Sequence, residues 1–170
     1  MALWDWLRRL FGRPPRAGRG SGTPAAPFDA TTTWEVADPE RRAVSIVYAP
    51  RRDGAPDAGE IVWAWVPFQE DPVQGKDRPM LVIARHDVQR VYAVKLTSRA
   101  PQGGAARRND HVAIGTGPWD RQGRESWVDV DQLYSVHHRG IRREAAALDR
   151  RAFARVARVV AQRHGWRFDG

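Results

Sequence analysis

Residues 60–68 read EIVWAWVPF, residues 80–85 read MLVIAR and residues 91–98 read VYAVKLTS. In the first stretch Ile61, Trp63 and Trp65 alternate with Val62, Ala64 and Val66, so both faces of a strand are apolar and both must be covered. The second and third are short apolar runs separated by 86–90, and they pair most simply as an antiparallel hairpin. Two more short strands are expected at 111–114 and 126–130. Many short strands with turn signals and no helix between them argue for a mainly β fold, a small antiparallel barrel.

Beyond these strands the period changes. Asp149 is placed to cap a helix with Phe153, Val156 and Val160 inward, Arg150, Arg151, Arg155, Arg158 and Arg163 outward, and Gly165 as its stop. The arginine face reads as solvated surface, with an RNA track as the alternative. Upstream, residues 28–58 form an extension in which Val44, Ile46 and Tyr48 suggest a short edge strand laid against the main domain. Residues 1–27 hold an amphipathic segment with Leu3, Leu7, Leu10 and Phe11 at helical spacing, then the linker GRPPRAGRGSGTPAAP. That helix is expected to pack on its own domain. Its Trp and Arg content also suits a partner or a membrane surface, and membrane contact is not expected.

The chain has 170 residues, which fits one domain (59–168) with unfolded length attached. It has no cysteine, which removes disulfides, thiolate nucleophiles and Cys-based metal sites. All of its Lys and Arg except Lys76 and Lys95 are arginine, the side chain suited to bidentate contact with phosphate or carboxylate. The net charge of +8 is unevenly spread: five Arg oppose Asp5 in the first 27 residues and nine oppose three acids from Arg139 onward. The middle of the chain is therefore near neutral, and the basic total by itself locates no site. No HExxH, Walker A loop, GxSxG elbow or dinucleotide fingerprint occurs, so no metal and no cofactor is expected.

A hairpin centred on 86–90 sets Arg78 opposite Ser98 and Thr97 opposite Pro79. A guanidinium and one or two hydroxyls then arrive at the open end of the same hairpin. That pairing fits a phosphodiester: a permanent planar cation holds the non-bridging oxygens and a hydroxyl donates as charge grows there. His86 lies seven or eight residues along the strands, roughly 25 Å away at about 3.3 Å per residue. His111, His137 and His138 stay unplaced. The plainer alternative is a structural one, with Arg78 paired to Asp77 or Glu70 and Thr97 ending a strand.

GEIVWAWVPF, a Gly-containing loop, GKDRPMLVI, VYAVKLTS and ESWVDVDQLYSV resemble, in this order, the motifs of the MazF/PemK toxins of type II toxin–antitoxin systems, from Gly59 into the C-terminal helix. The resemblance implies an SH3-like (MazF/CcdB-like) barrel with a terminal helix, a homodimer, a cytoplasmic location and a cognate antitoxin. It also implies a metal-independent endoribonuclease that cuts single-stranded RNA to 2′,3′-cyclic phosphate and 5′-hydroxyl ends. Carried over, the family's catalytic arginine falls on Arg78 and its threonine on Thr97. Ser98, Lys76, Gln69 and Glu70 are candidates for supporting the reaction or binding RNA. A guanidinium is a poor base, so stabilising the phosphorane is the role expected of Arg78. The rival from another class is a non-catalytic binding module on the same barrel, such as a CcdB-like topoisomerase poison. Trp63, Trp65 and Trp127 read as core more than as stacking platforms, and the loops 101–110 and 115–125 are expected over the groove.

Overall fold

The structure, a computed structural model, describes residues 31–37, 44–51, 53–68, 70–71, 74–104 and 109–170. The amphipathic segment and linker expected in residues 1–27 lie outside the described residues, as does Gln69. In chain order the elements are β1 (Trp34–Glu35), β2 (Ser45–Ile46), β3 (Glu60–Pro67), β4 (Gly75–Arg85), β5 (Arg90–Thr97), β6 (His111–Gly115), β7 (Ser126–His137), a 3-10 turn (His138–Gly140), β8 (Ile141–Ala147), α1 (Arg150–His164) and β9 (Arg167–Phe168). Seven strands form one antiparallel sheet in the order β1-β7-β5-β4-β3-β8, with β6 on β7. Among the described residues no ladder joins β8 to β1, and the curled sheet is a half-barrel that stays open.

Alternation builds two cores from the same strands. Ile61, Leu81, Ile83, Val94 and Val128 go to one face, beneath Phe153, Val156, Ala157 and Val160 of α1. Their neighbours Val62, Ala64, Val66, Met80, Val82 and Ala93 form a second cluster on the other face. The Val62, Ala64 and Val66 face of 60–67 is therefore covered, whereas on the other face Ile61 is buried and Trp63 and Trp65 are only half-buried. Tyr48, from the extension, donates from its hydroxyl to Leu148 O (2.7 Å) and packs its ring on Phe153 (5.2 Å). Gly59, at φ +102°, admits this: a Cβ there would stand 2.6 Å from the Tyr48 ring.

Helix α1 is bounded as its sequence requires. The Asp149 carboxylate accepts from Arg151 N (2.9 Å) and Ala152 N (3.1 Å), and Gly165 closes the helix at φ +68°. Its arginine face is only partly solvated, because Arg163 donates to both Asp110 (2.6 Å) and Asp131 (2.9 Å), and Arg155 donates to Ala113 O (3.1 Å). The helix thereby grips β6 and β7. Among the described residues no helix is long and apolar enough to cross a membrane.

The register departs from the expected one. Arg85 pairs with Val91 and Ala84 with Tyr92, but Val82 pairs with Ala93 and Met80 with Lys95. Ile83 is thus an extra residue on β4, and beyond this bulge every partner shifts by one. The strands are also longer than expected: β4 takes in Gly75 to Asp77, and β7 runs on to His137.

Two histidines give the fold an acid sensitivity. Burial, with Arg163 adding, pushes the His164 ring below the ordinary histidine value, and its Nε2 is buried with no hydrogen-bond partner. Burial and then His138, Arg90 and Arg139 do the same to His137, against Asp87. Each is held neutral in the fold and takes a proton more readily once unfolded, so the unfolded chain binds more protons just below pH ~6.5. Stability is therefore expected to be flat above that value and to fall as pH drops through the window beneath it. Melting temperatures at pH 7.5 and 5.5 measure this, and His164→Gln should narrow the gap between them; equal gaps would refute the assignment to His164.

Candidate active site

Strand β4 lies between β3 and β5, and Arg78 sits opposite Ala64 in the β3 ladder. The β4–β5 ladder ends at Met80 and Lys95, and its shifted register carried two residues further sets Arg78 opposite Thr97 rather than Ser98. That continuation differs by one residue from the expected pairing, because of the bulge at Ile83, and the guanidinium and the threonine line the same cavity. Thr97 is in turn opposite Trp127 on β7. Its Oγ1 accepts from Arg99 N (3.1 Å), which fixes the side chain at the strand end.

These groups line an open cavity of about 900 Å3, with Arg78 and Pro79 from β4, Lys95 to Thr97 from β5, His111 from β6, and Asp120 to Gln122 from the β6–β7 loop. Ser98 and Lys76, both expected on sequence grounds, also line it. Glu70 is exposed and does not. His86 is elsewhere, as its spacing requires, bonded through Nδ1 to Ser135 Oγ (2.8 Å) and stacked on Tyr92. Of the three tryptophans read as core, Trp63 lines the cavity and all are half-buried.

The charge in the cavity is not that of the surrounding sequence. Seven cations and three carboxylates line it. Each carboxylate is engaged: Asp77 with Arg142 (2.9 Å), Asp120 with Arg124 (2.9 Å) and Asp129 with Lys95 (3.3 Å). Asp77 therefore takes Arg142 and not its neighbour Arg78. Among the described residues Lys76, Arg78, Arg99 and Arg121 have no carboxylate partner, so the near-neutral middle of the chain folds into a strongly cationic site. Backbone donation from Gln122 N (2.8 Å), with Arg124 adding, holds the Asp120 carboxyl below the usual range against the effect of burial, so it stays ionised and orders the loop.

A polar network underlies the cavity. The Tyr134 hydroxyl donates to Gln132 Oε1 (3.2 Å), Lys95 Nζ donates to the same oxygen, and Gln132 Nε2 donates to Glu35 Oε2 (3.2 Å) on β1. Burial, then Glu35 and Asp129, push the Tyr134 phenol well above its usual range, while the charge of Arg78 opposes the shift. Tyr134 is thus a neutral donor within the field of Arg78. Among the described residues no three His, Asp or Glu side chains gather to hold a metal ion.

Sequence reasoning left His111 unplaced and did not single out Lys95, Asp129 or Arg142 for the site. The signal for Lys95 was present, since a residue two before Thr97 on a strand points to the same face. Asp129 and His111, opposite each other on β7 and β6, needed the β6–β7 register to be placed.

Among curated proteins none matches the chain. Among solved structures it is similar to MazF (Form-I) from Deinococcus radiodurans, with 25% identity over 65% of this chain and 97% of that one at a TM-score of 0.50. MazE-MazF (Form-III) from the same organism gives 24%, 66%, 99% and 0.48. An endoribonuclease in complex with its cognate antitoxin from Mycobacterial species gives 16%, 65%, 96% and 0.48. The family model of PemK-like, MazF-like toxins of type II toxin–antitoxin systems matches residues 57–163. That match spans well over half of the chain and contains Arg78, Thr97 and the cavity around them, and the protein belongs to this toxin family.

Proposed function

We propose that the chain is an endoribonuclease that cleaves single-stranded RNA to 2′,3′-cyclic phosphate and 5′-hydroxyl ends without a metal ion. The observation that carries this reading is that Arg78 and Thr97 line one cavity in which, among the described residues, four cations have no carboxylate partner. The ribose 2′-oxygen attacks the adjacent phosphorus, the P–O5′ bond breaks, and the proton lost by the 2′-oxygen ends on O5′. Negative charge peaks on the phosphorane, where Arg78 supplies a fixed cation and Thr97, with Ser98 beside it, supplies hydroxyl donors. Lys76, Arg99 and Arg121 are suited to the flanking phosphates. Gln69, which lies outside the described residues, and Glu70, which lies outside the cavity, are assigned to the RNA path that leads to it.

The domain is taken as 59–168, with 28–58 as its extension and 1–27 as a separate segment. Family membership supports a cognate antitoxin, and a homodimer in the cytoplasm completes the reading. Incubation of the full chain with a long single-stranded RNA in EDTA tests it. Discrete fragments bearing cyclic phosphate are expected; intact RNA, or cleavage that appears only when a divalent ion is restored, overturns it.

A further inference from the structure

Lys95 is one of only two lysines, and both line the cavity. Between the pairs Val94 with Leu133 and Leu96 with Val128, residues 129–132 of β7 bulge opposite this one residue of β5. Its ammonium spans the bulge, reaching Asp129 Oδ2 at one end and Gln132 Oε1 at the other. An ammonium carries three donors, so one remains for a further acceptor. The Lys95 side chain is 22% exposed and that of Asp129 14%, so this charge acts largely outside bulk water. The Gln132 amide cannot turn over without loss, because its nitrogen is committed to Glu35 and its oxygen also takes the Tyr134 hydroxyl. Lys95 lies on the same face of β5 as Thr97, about 6.6 Å along the strand.

We propose that Lys95 is a second cation on the scissile phosphate, held in place by Asp129 and Gln132 and acting beside Arg78. The inference rests on the ribonuclease reading and adds a group to it. A phosphodiester enters with one negative charge and approaches two when its 2′-oxygen attacks and loses a proton. Arg78 matches the first charge and Lys95 the second. The 2′-O–P bond forms, the P–O5′ bond breaks, the proton passes from the 2′-oxygen to O5′, and no co-reactant is consumed. Asp129 and Gln132 are positioning residues.

Because Lys95 also staples the bulge, the test needs a readout that a staple would not move. The salt dependence of binding to a 2′-O-methyl RNA, which lacks the attacking hydroxyl, counts phosphate contacts at about 0.7 each in the log–log slope. For Lys95→Met the slope is expected to fall by about that amount, and the single-turnover rate on cleavable RNA by about 10²-fold or more. Lys95→Arg, which keeps the charge, should restore the slope. Arg163→Met, which loosens the same bulge from outside by releasing Asp131, should leave the slope at the wild-type value. An unchanged slope or an unchanged rate in Lys95→Met overturns the proposal. Should the wild-type chain release no cyclic-phosphate ends, the ribonuclease reading fails, and the slope alone then decides whether Lys95 meets a phosphate.

Discussion

Replacing Arg78 with alanine is expected to lower the single-turnover rate of RNA cleavage by about 10³-fold or more, with the fold intact. The size follows from where the charge is needed. In the free protein Arg78 has no carboxylate partner among the described residues, so its cation is held ready and not spent on structure. It is half-buried, and its loss removes little packing, which keeps the expected change in stability within about 1 kcal/mol. Binding of intact RNA should weaken far less than the rate, because Lys76, Arg99 and Arg121 still attract the chain of phosphates. Arg78→Lys is also expected to fail, since a point charge lacks the fork that spans two non-bridging oxygens. A variant that cuts within tenfold of wild type, or loses rate only in proportion to affinity, would remove Arg78 from the chemistry.

The largest structural effect is expected from Phe153→Ala in α1. Phe153 is fully buried, with Tyr48 (5.2 Å) and Phe168 (6.3 Å) against its ring, so it joins the helix, the extension and the C-terminal strand. Removing a buried Phe typically costs about 3–5 kcal/mol, about a fifth or more of the ~5–15 kcal/mol that a domain has in hand. A fall in melting temperature on the order of 10 °C should follow. The damage should reach the cavity, because the same helix carries the Arg163 that ties Asp110 and Asp131, and Asp110 adjoins His111. Thermal melts settle it, and a shift of under about 2 °C would mean that the three elements are held by something other than this ring.

The parts of the fold that could be read from sequence are those in which local pattern and tertiary role agree. The run 60–67 is apolar on both faces and lies between two strands, and Asp149 and Gly165 mark the helix by cap chemistry alone. Strand β8 gave no such signal: IRREAAA has helical propensity, and only its ladder with β3 makes it extended. The bulge at Ile83 is hidden for a similar reason, since Val82, Ile83 and Ala84 carry no glycine or proline to mark it. Its effect on the site is nonetheless direct, because one residue of slip decides whether Thr97 or Ser98 faces Arg78. Arg78 and Thr97 were legible from the hairpin. The cations Arg99, Arg121 and Arg142 were not, because they reach the cavity from loops and from a strand four ladders away from β7.

The parallel ladder of Ser45 with Arg167 and Ile46 with Phe168, locked by Arg167 N to Val44 O (3.0 Å), has a bearing on how the chain is made. Ile46 is 1% exposed, yet its strand partner Phe168 follows every cavity residue in chain order. A ribosome therefore completes the whole cavity lining before the clasp that secures the extension can close. Anchoring of the extension is for that reason a late step in folding, which waits for Phe168 to leave the exit tunnel.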